Sequence, residues 1–337
     1  MKAIVQDRYG PPDDVLELRE IDQPVIGDDE VLVRIRAASV HPDVWHVVTG
    51  RPYVLRLMGA GVFKPKNPVP GTDVAGLVAS VGKDVTRFGP GDAVFGETHT
   101  KLQWHNGGAF AEYVAVPQDA LAHKPEGIAF EQAAAVPTSG FIALHNLQIG
   151  GQIQPGQRVL INGAGGGVGT IAVQLAKAYG AHVTGVDRAE KTAMIRSLGA
   201  DHVIDYTQED FTQRGERYDL ILDVASNLSL KACKCALMPK GVYVLIGHDH
   251  FGAAAGRIFG SLPRVLKFVA LSPFVSQLPD LNASIPSKSD VMAVLGEFLE
   301  VGKLTPVIDR TYPLKEVPEA MRYLQGGRAR GKIIITP

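Results

Sequence analysis

The segment Arg158–Arg188, RVLINGAGGGVGTIAVQLAKAYGAHVTGVDR, carries the strongest chemical signal in the sequence. An apolar run, Val159–Ile161, enters Gly163-Ala164-Gly165-Gly166-Gly167-Val168-Gly169, and an apolar stretch with helical spacing follows at Val168–Tyr179. Glycines in such a turn allow backbone angles closed to other residues, close approach to a pyrophosphate, and tight strand–helix packing. The amide hydrogens at the helix start, with the positive end of its dipole, then face an anion. In the dinucleotide fingerprint Ala164 takes the first glycine place, Gly166 the second and Gly169 the third. Asp187 stands 21 positions beyond Gly166, near the spacing of a ribose-binding carboxylate. It suits the hydroxyls of NAD and repels a 2′-phosphate, whereas Arg188 and Lys191 could grip that phosphate. The choice between NAD and NADP stays open here, and S-adenosylmethionine is the main rival ligand for such a turn.

These residues need a scaffold, and the chain is long enough for two domains: 337 residues, 45% hydrophobic and 20% charged. Up to about Pro125, short alternating runs such as Val31–Ile35, Val74–Val81 and Ala111–Val116 predict antiparallel strands. Helical segments are expected at Phe130–Val136 and Phe141–Leu147. After Gln157 strands and helices alternate: strands at Val159–Ile161, His182–Val186, His202–Ile204, Leu220–Asp223 and Val242–Ile246, and helices at Val168–Tyr179 and Ala189–Leu198. That rhythm predicts a parallel sheet covered on both faces. A Pro-punctuated apolar segment (Ile258–Leu281), a helix (Ser287–Val301), a strand (Val307–Thr311), a helix (Val317–Leu324) and a strand (Lys332–Thr336) close the chain.

A net charge of −1 gives no bulk attraction to nucleic acid or to an anionic membrane. The uncharged stretches Gln132–Gln157 and Val159–Ala176 are broken by prolines and glycines, so no membrane span is expected. The N-terminus lacks an apolar signal core, and the expected compartment is the cytoplasm. Two cysteines, Cys233 and Cys235, cannot build a four-cysteine zinc site. Placed one residue apart in a helix expected over Leu230–Met238, they would point to different faces.

Phrases spread along the chain resemble the medium-chain dehydrogenase/reductase superfamily, and among its members the zinc-independent quinone oxidoreductase-like branch. They are PGTDVAG (Pro70–Gly76), FGPGDAVF (Phe88–Phe95), GGAFAEYV (Gly107–Val114), Ala133–Gly140, the Gly-rich turn, LGADHVIDY (Leu198–Tyr206) and GRARGK (Gly327–Lys332). The resemblance implies an α/β protein: a Rossmann doubly wound parallel sheet over about 126–270, and a GroES-like β-barrel catalytic domain built from 1–125 and 271–337. It further implies a cleft between them, an often homodimeric assembly, and hydride transfer from NADPH or NADH to a small quinone or enone. A non-catalytic, redox-sensing NADPH-binding relative is the alternative. A short-chain dehydrogenase is excluded, because no tyrosine has lysine four positions later.

The resemblance also nominates site residues. Ser39–Gly50 corresponds to a cleft-lining segment; His41, a donor titrating near neutrality, is the first candidate for the chemistry, followed by His46 and Tyr53. A structural His41 bonding a backbone carbonyl is the equal alternative. Asp43 stands one place before the family's acidic position, and Trp45 reads as packing. Thr72 and Thr138 match positions near the nicotinamide, Lys191 and Tyr206 positions near the adenosine phosphate, and His248 lies on a loop toward the same cofactor end. Trp104 and His105 could rim the cleft. For zinc, His41 matches one ligand position, but Thr72 and Ala135 stand at the other two, so no zinc is expected.

Overall fold

The structure, a computed structural model, describes residues 1–100, 106–247, 256, 258–279 and 286–337. The alternating first third folds as antiparallel strands: β1 (Lys2–Val5), β2 (Glu17–Glu20), β3 (Glu30–Val40), β4 (Asp73–Val81), β5 (Ala93–Glu97), β6 (Tyr113–Pro117) and β7 (Leu121–His123). Helices α1 (Pro12–Val15) and α2 (Pro42–Thr49) interrupt them. In β3, Val31, Val33 and Ile35 point inward while Arg34 and Arg36 face solvent, the two-residue period expected of a half-buried strand. The strand pairs with β6 along its first half and with the chain's last strand along its second, so the sheet bends around its core.

Two helices, α3 (Phe130–Ala134) and α4 (Pro137–His145), lead into the second sheet. Its elements are β8 (Arg158–Asn162), α5 (Gly167–Ala178), β9 (His182–Asp187), α6 (Ala189–Ser197), β10 (His202–Asp205), β11 (Tyr218–Asp223), α7 (Leu230–Cys235) and β12 (Leu237–Leu245). All five strands are parallel, in the order β10-β9-β8-β11-β12. The chain moves outward from β8 in one direction and then returns to lay β11 on its other side. This reversal opens a crevice at the carboxyl ends of β8 and β11, where ligands bind open α/β sheets. Both faces are covered, so Val159, Leu160, Ile161, Leu220, Ile221 and Leu222 are wholly buried; each stabilises the fold by roughly 1.5–3 kcal/mol.

The closing segment comprises α8 (Leu262–Leu271), α9 (Lys288–Glu300), β13 (Ile308–Pro313), α10 (Val317–Gln325) and β14 (Lys332–Thr336). β14 pairs with β3 and carries β13 beside it, returning the C-terminus to the first domain. One expectation is corrected. The helix predicted over Leu230–Met238 stops at Cys235, because Pro239 cannot continue it, and β12 starts early at Leu237. Residue 270 lies within α8, and beyond it the Tyr243 N–H of β12 donates to the Gln277 carbonyl. Cys233 is buried and Cys235 exposed. No helix among the described residues is long and apolar enough to cross a membrane.

The turn between β8 and α5 shows why glycine recurs there. Gly163 adopts φ +88°, and the Gly163 and Ala164 amides donate to the Val186 carbonyl, holding the turn on β9. A Cβ on Gly169 would lie 2.1 Å from the Gly163 carbonyl oxygen and 2.7 Å from the Ala164 backbone. That contact is backbone on backbone and cannot relax by a rotamer change. Gly169→Ala is therefore expected to cost about 1–3 kcal/mol or more, read as a lower urea midpoint without any ligand present.

Candidate functional site

At the start of α5 no side chain caps the helix. Gly166, its N-cap residue, has φ −90° and ψ −179°, open to any amino acid, and a Cβ there would meet nothing nearer than 3.6 Å. Neither backbone nor packing requires glycine at this position, and its face stays open. Beside it, Asp187 at the end of β9 turns inward. Its Oδ2 accepts the Gly165 N–H at 2.8 Å and its Oδ1 the Arg188 N–H at 2.9 Å. Lys191 lies beneath the turn, with Nζ 3.8 Å from Asp187 Oδ1 and both side chains nearly enclosed. Asp187 thus braces the turn, and its charge is partly offset from below. Arg188 lies nearer the surface, with Nε donating to the Tyr206 hydroxyl at 2.6 Å.

The first domain reaches this turn directly. The Gly331 N–H donates to the Gly165 carbonyl, and a Cβ on Gly167 would touch Lys332 and Ser139. Behind that contact lies a buried cluster of charges. Asp73, fully enclosed at the start of β4, accepts the Ser39 hydroxyl at 2.6 Å and the Thr138 N–H and hydroxyl, and faces Lys332 Nζ at 3.2 Å. Burial opposes its ionisation, but Lys332, His41, Ser39 and Thr138 outweigh that cost and hold its carboxyl below the ordinary value. Glu97, its register partner on β5, pairs with Lys288 Nζ at 2.5 Å. Burial, with Asp73 close by, pushes the Glu97 carboxyl up despite that lysine.

His41 is the N-cap of α2, with Nδ1 3.3 Å from both the N–H and the carboxylate of Asp43. It is buried close to Asp73 and Glu97. The cap is thus one role of this histidine, on one ring nitrogen. His46, a turn further along α2, donates from Nδ1 to the Arg51 carbonyl at 2.8 Å. Thr138 opens α4 and its hydroxyl proton is committed to Asp73, leaving oxygen lone pairs as acceptors. Thr72 precedes Asp73 and is half-buried. Tyr53 is largely exposed, with the Arg56 guanidinium 4.7 Å from its ring centre, apart from the buried cluster. His248, Trp104 and His105 lie outside the described residues.

Sequence reasoning missed Asp73, Glu97, Lys288 and Lys332 as a group. A signal was present: Asp73 precedes VAG, Glu97 follows AVFG and Lys332 precedes III. Charges against apolar strand residues must find partners once buried. Also missed was the knot at the switch point, where buried Asp223 accepts from Asn162, the Ser226 N–H and the Tyr243 hydroxyl. Burial raises the Asp223 carboxyl despite these bonds.

Residues 27–126 match the alcohol dehydrogenase GroES-like domain family, and residues 198–335 the zinc-binding dehydrogenase family. Over its full length the chain is 34% identical to a 2-methylene-furan-3-one reductase of Solanum lycopersicum, covering 79% of that protein. It is 33% identical, again over its full length, to an NADPH-dependent alkenal/one oxidoreductase of Arabidopsis thaliana, covering 80%. A quinone oxidoreductase structure from Coxiella burnetii superposes with a TM-score of 0.82 at 28% identity, covering all of this chain and 99% of that one. The chain belongs to the medium-chain dehydrogenase/reductase superfamily. Within it, the chain falls in the quinone oxidoreductase-like branch, with a Rossmann domain and a GroES-like domain, and the family is NAD(P)H-dependent.

The open face of Gly166 and the uncapped start of α5 fit the pyrophosphate of such a cofactor. Zinc does not fit the family's ligand positions here: Thr72 and the buried Ala135 offer no metal-binding atom of the kind a catalytic zinc site uses, leaving His41 alone. No cluster able to hold a metal occurs among the described residues.

Two outcomes follow from this geometry. Gly166→Ala should leave the urea midpoint nearly unchanged, since the weaker N-cap is offset by lost chain entropy, while costing about 1–3 kcal/mol of NADPH affinity by titration. Lys332→Met should lower stability at pH 7 by about 3–5 kcal/mol, because Asp73 loses its buried counter-charge. The pH sign is also set. A depressed Asp73 stabilises the fold above its ordinary range and loses that contribution as pH falls. Denaturation from pH 7 to pH 3 should therefore show the gap between wild type and Lys332→Met narrowing on acidification.

Proposed function

We propose that this protein is an NADPH-dependent reductase of quinones or enones that works without zinc. One observation carries the reading: Gly331 and Lys332 of the GroES-like domain close against the uncapped start of α5, making a two-domain cleft at a dinucleotide turn. The names of the tomato and Arabidopsis relatives support an activated alkene, and that of the Coxiella protein a quinone, as the acceptor. When bound, a reduced nicotinamide supplies the hydride; with one proton an enone becomes a saturated ketone, or a quinone a hydroquinone.

The chain's own residues then position and polarise. The turn holds the phosphates, and the Thr138 oxygen, oriented by Asp73, accepts from a carboxamide. His41 donates to the acceptor oxygen as negative charge develops there. The Asp73–Lys332 pair keeps these groups from moving during turnover. NADPH is favoured because Asp187 is spent on the Gly165 amide and faces Lys191, while Arg188 stands near the surface beside Tyr206 to meet a 2′-phosphate.

Loss of NADPH absorbance with a panel of quinones and enones tests the activity; tight cofactor binding with no turnover on any of them would instead support a non-catalytic relative. Arg188→Ala should raise the KM for NADPH by roughly ten- to a hundred-fold, the worth of a charged hydrogen bond, and leave that for NADH nearly unchanged. An equal effect on both cofactors would refute the assignment of Arg188.

A further inference from the structure

An apolar cavity of about 210 Å³ lies beside the cleft, walled by Leu55 and Met58 of the GroES-like domain and by Phe259, Leu262 and Val265 across from them. Among the described residues lining it, the polar side chains are His46 and Ser261. It is built between domains: the Val54 N–H donates to the Ile258 carbonyl, and Gly260 sits so close to Pro52 that a Cβ would approach it to 2.6 Å. Arg264, one residue before Val265, donates to the carbonyls of Ser226 and Leu228, just beyond the carboxyl end of β11. The cavity is thus anchored on the side of the sheet where the dinucleotide turn lies. His46 connects it to the chemistry, five residues beyond His41 on α2 and so about 7.5 Å along the helix axis.

We infer that this cavity is a subsite for the apolar arm of the acceptor, so that the enzyme selects acceptors bearing an alkyl or isoprenoid-like chain over small polar ones. The inference rests on the proposed reductase function. A charged or strongly polar arm finds no counter-charge among the described lining residues and would lose its hydration there. Size sets the length: an apolar cavity of about 150 Å³ accepts benzene, and on that scale this one takes roughly eight carbons. The acceptor carbonyl stays in the polar part of the cleft near His41 while the chain runs along α2 past His46.

The test is a series of 1-alken-3-ones from four to fourteen carbons with NADPH. In wild type, kcat/KM should rise by up to about four-fold per methylene, the worth of one buried CH2, and level off once the arm exceeds the cavity. Val265→Trp, which fills the cavity, and Val265→Asp, which charges it, should each flatten that slope; Val265 is half-exposed on α8, and NADPH titration confirms that each variant is folded. Independently, without cofactor, saturated decan-3-one should raise the melting temperature of wild type more than butan-2-one does, and both variants should lose that difference. A flat series in wild type, or a slope surviving in both variants, overturns the subsite and leaves the reductase reading intact. No turnover with any acceptor overturns the reductase reading, and the subsite with it.

Discussion

The arrangement of the cleft depends on one buried carboxylate. Asp73 gathers the Ser39 hydroxyl from β3, the Thr138 amide and hydroxyl from α4, and the Lys332 ammonium from β14. These groups come from segments 34 to 259 positions away from it along the chain, and an unpaired charge at this depth would be intolerable. Satisfying Asp73 therefore forces β3, α4 and the last strand into register. Lys332 in turn packs against Gly167 at the start of α5. Glu97 and Lys288 repeat the device beside it. Both lysines belong to the returning C-terminal segment and both carboxylates to neighbouring strands of the first domain, so two buried ion pairs pin the end of the chain across the cleft.

The glycines of the dinucleotide turn divide their work. Gly163 is required by its backbone angle and Gly169 by the closeness of α5 to β8. Gly166 is required by neither, and its face is open, as the proposed cofactor pyrophosphate needs. Reading the turn as one motif hides this difference, although the three positions fail for different physical reasons when a methyl group is added. The brace from Asp187 belongs to the same local unit, because the amide it accepts, from Gly165, lies inside the turn.

The match of residues 198–335 to the zinc-binding dehydrogenase family does not by itself supply zinc ligands. The positions that would coordinate the metal hold Thr72 and Ala135, and the surroundings of Thr72 are used instead to seat Asp73 and Thr138. In the proposed reaction, polarisation of the acceptor falls to hydrogen-bond donors and to the fixed dipoles around them. His41 combines two demands, capping α2 while standing beside two buried carboxylates.

The residues alone determined the alternating strands of the first domain, the strand–helix rhythm of the second and the dinucleotide turn, because these rest on periodicity and on short-range spacing. They also excluded a four-cysteine zinc site by count. Three-dimensional packing decided what each polar group does. Asp187 reads from its spacing as a ribose ligand, yet in the fold it accepts the Gly165 amide above a buried lysine. Lys332 and Asp73 are separated by 259 positions, and no local pattern couples them. β12 closes one side of the parallel sheet, and its Tyr243 N–H is met by the Gln277 carbonyl, 34 positions on. The physical reason is the same throughout: hydrophobic period and turn chemistry act over a few residues, whereas the pairing of a buried charge depends on which distant segment the closed core brings to it.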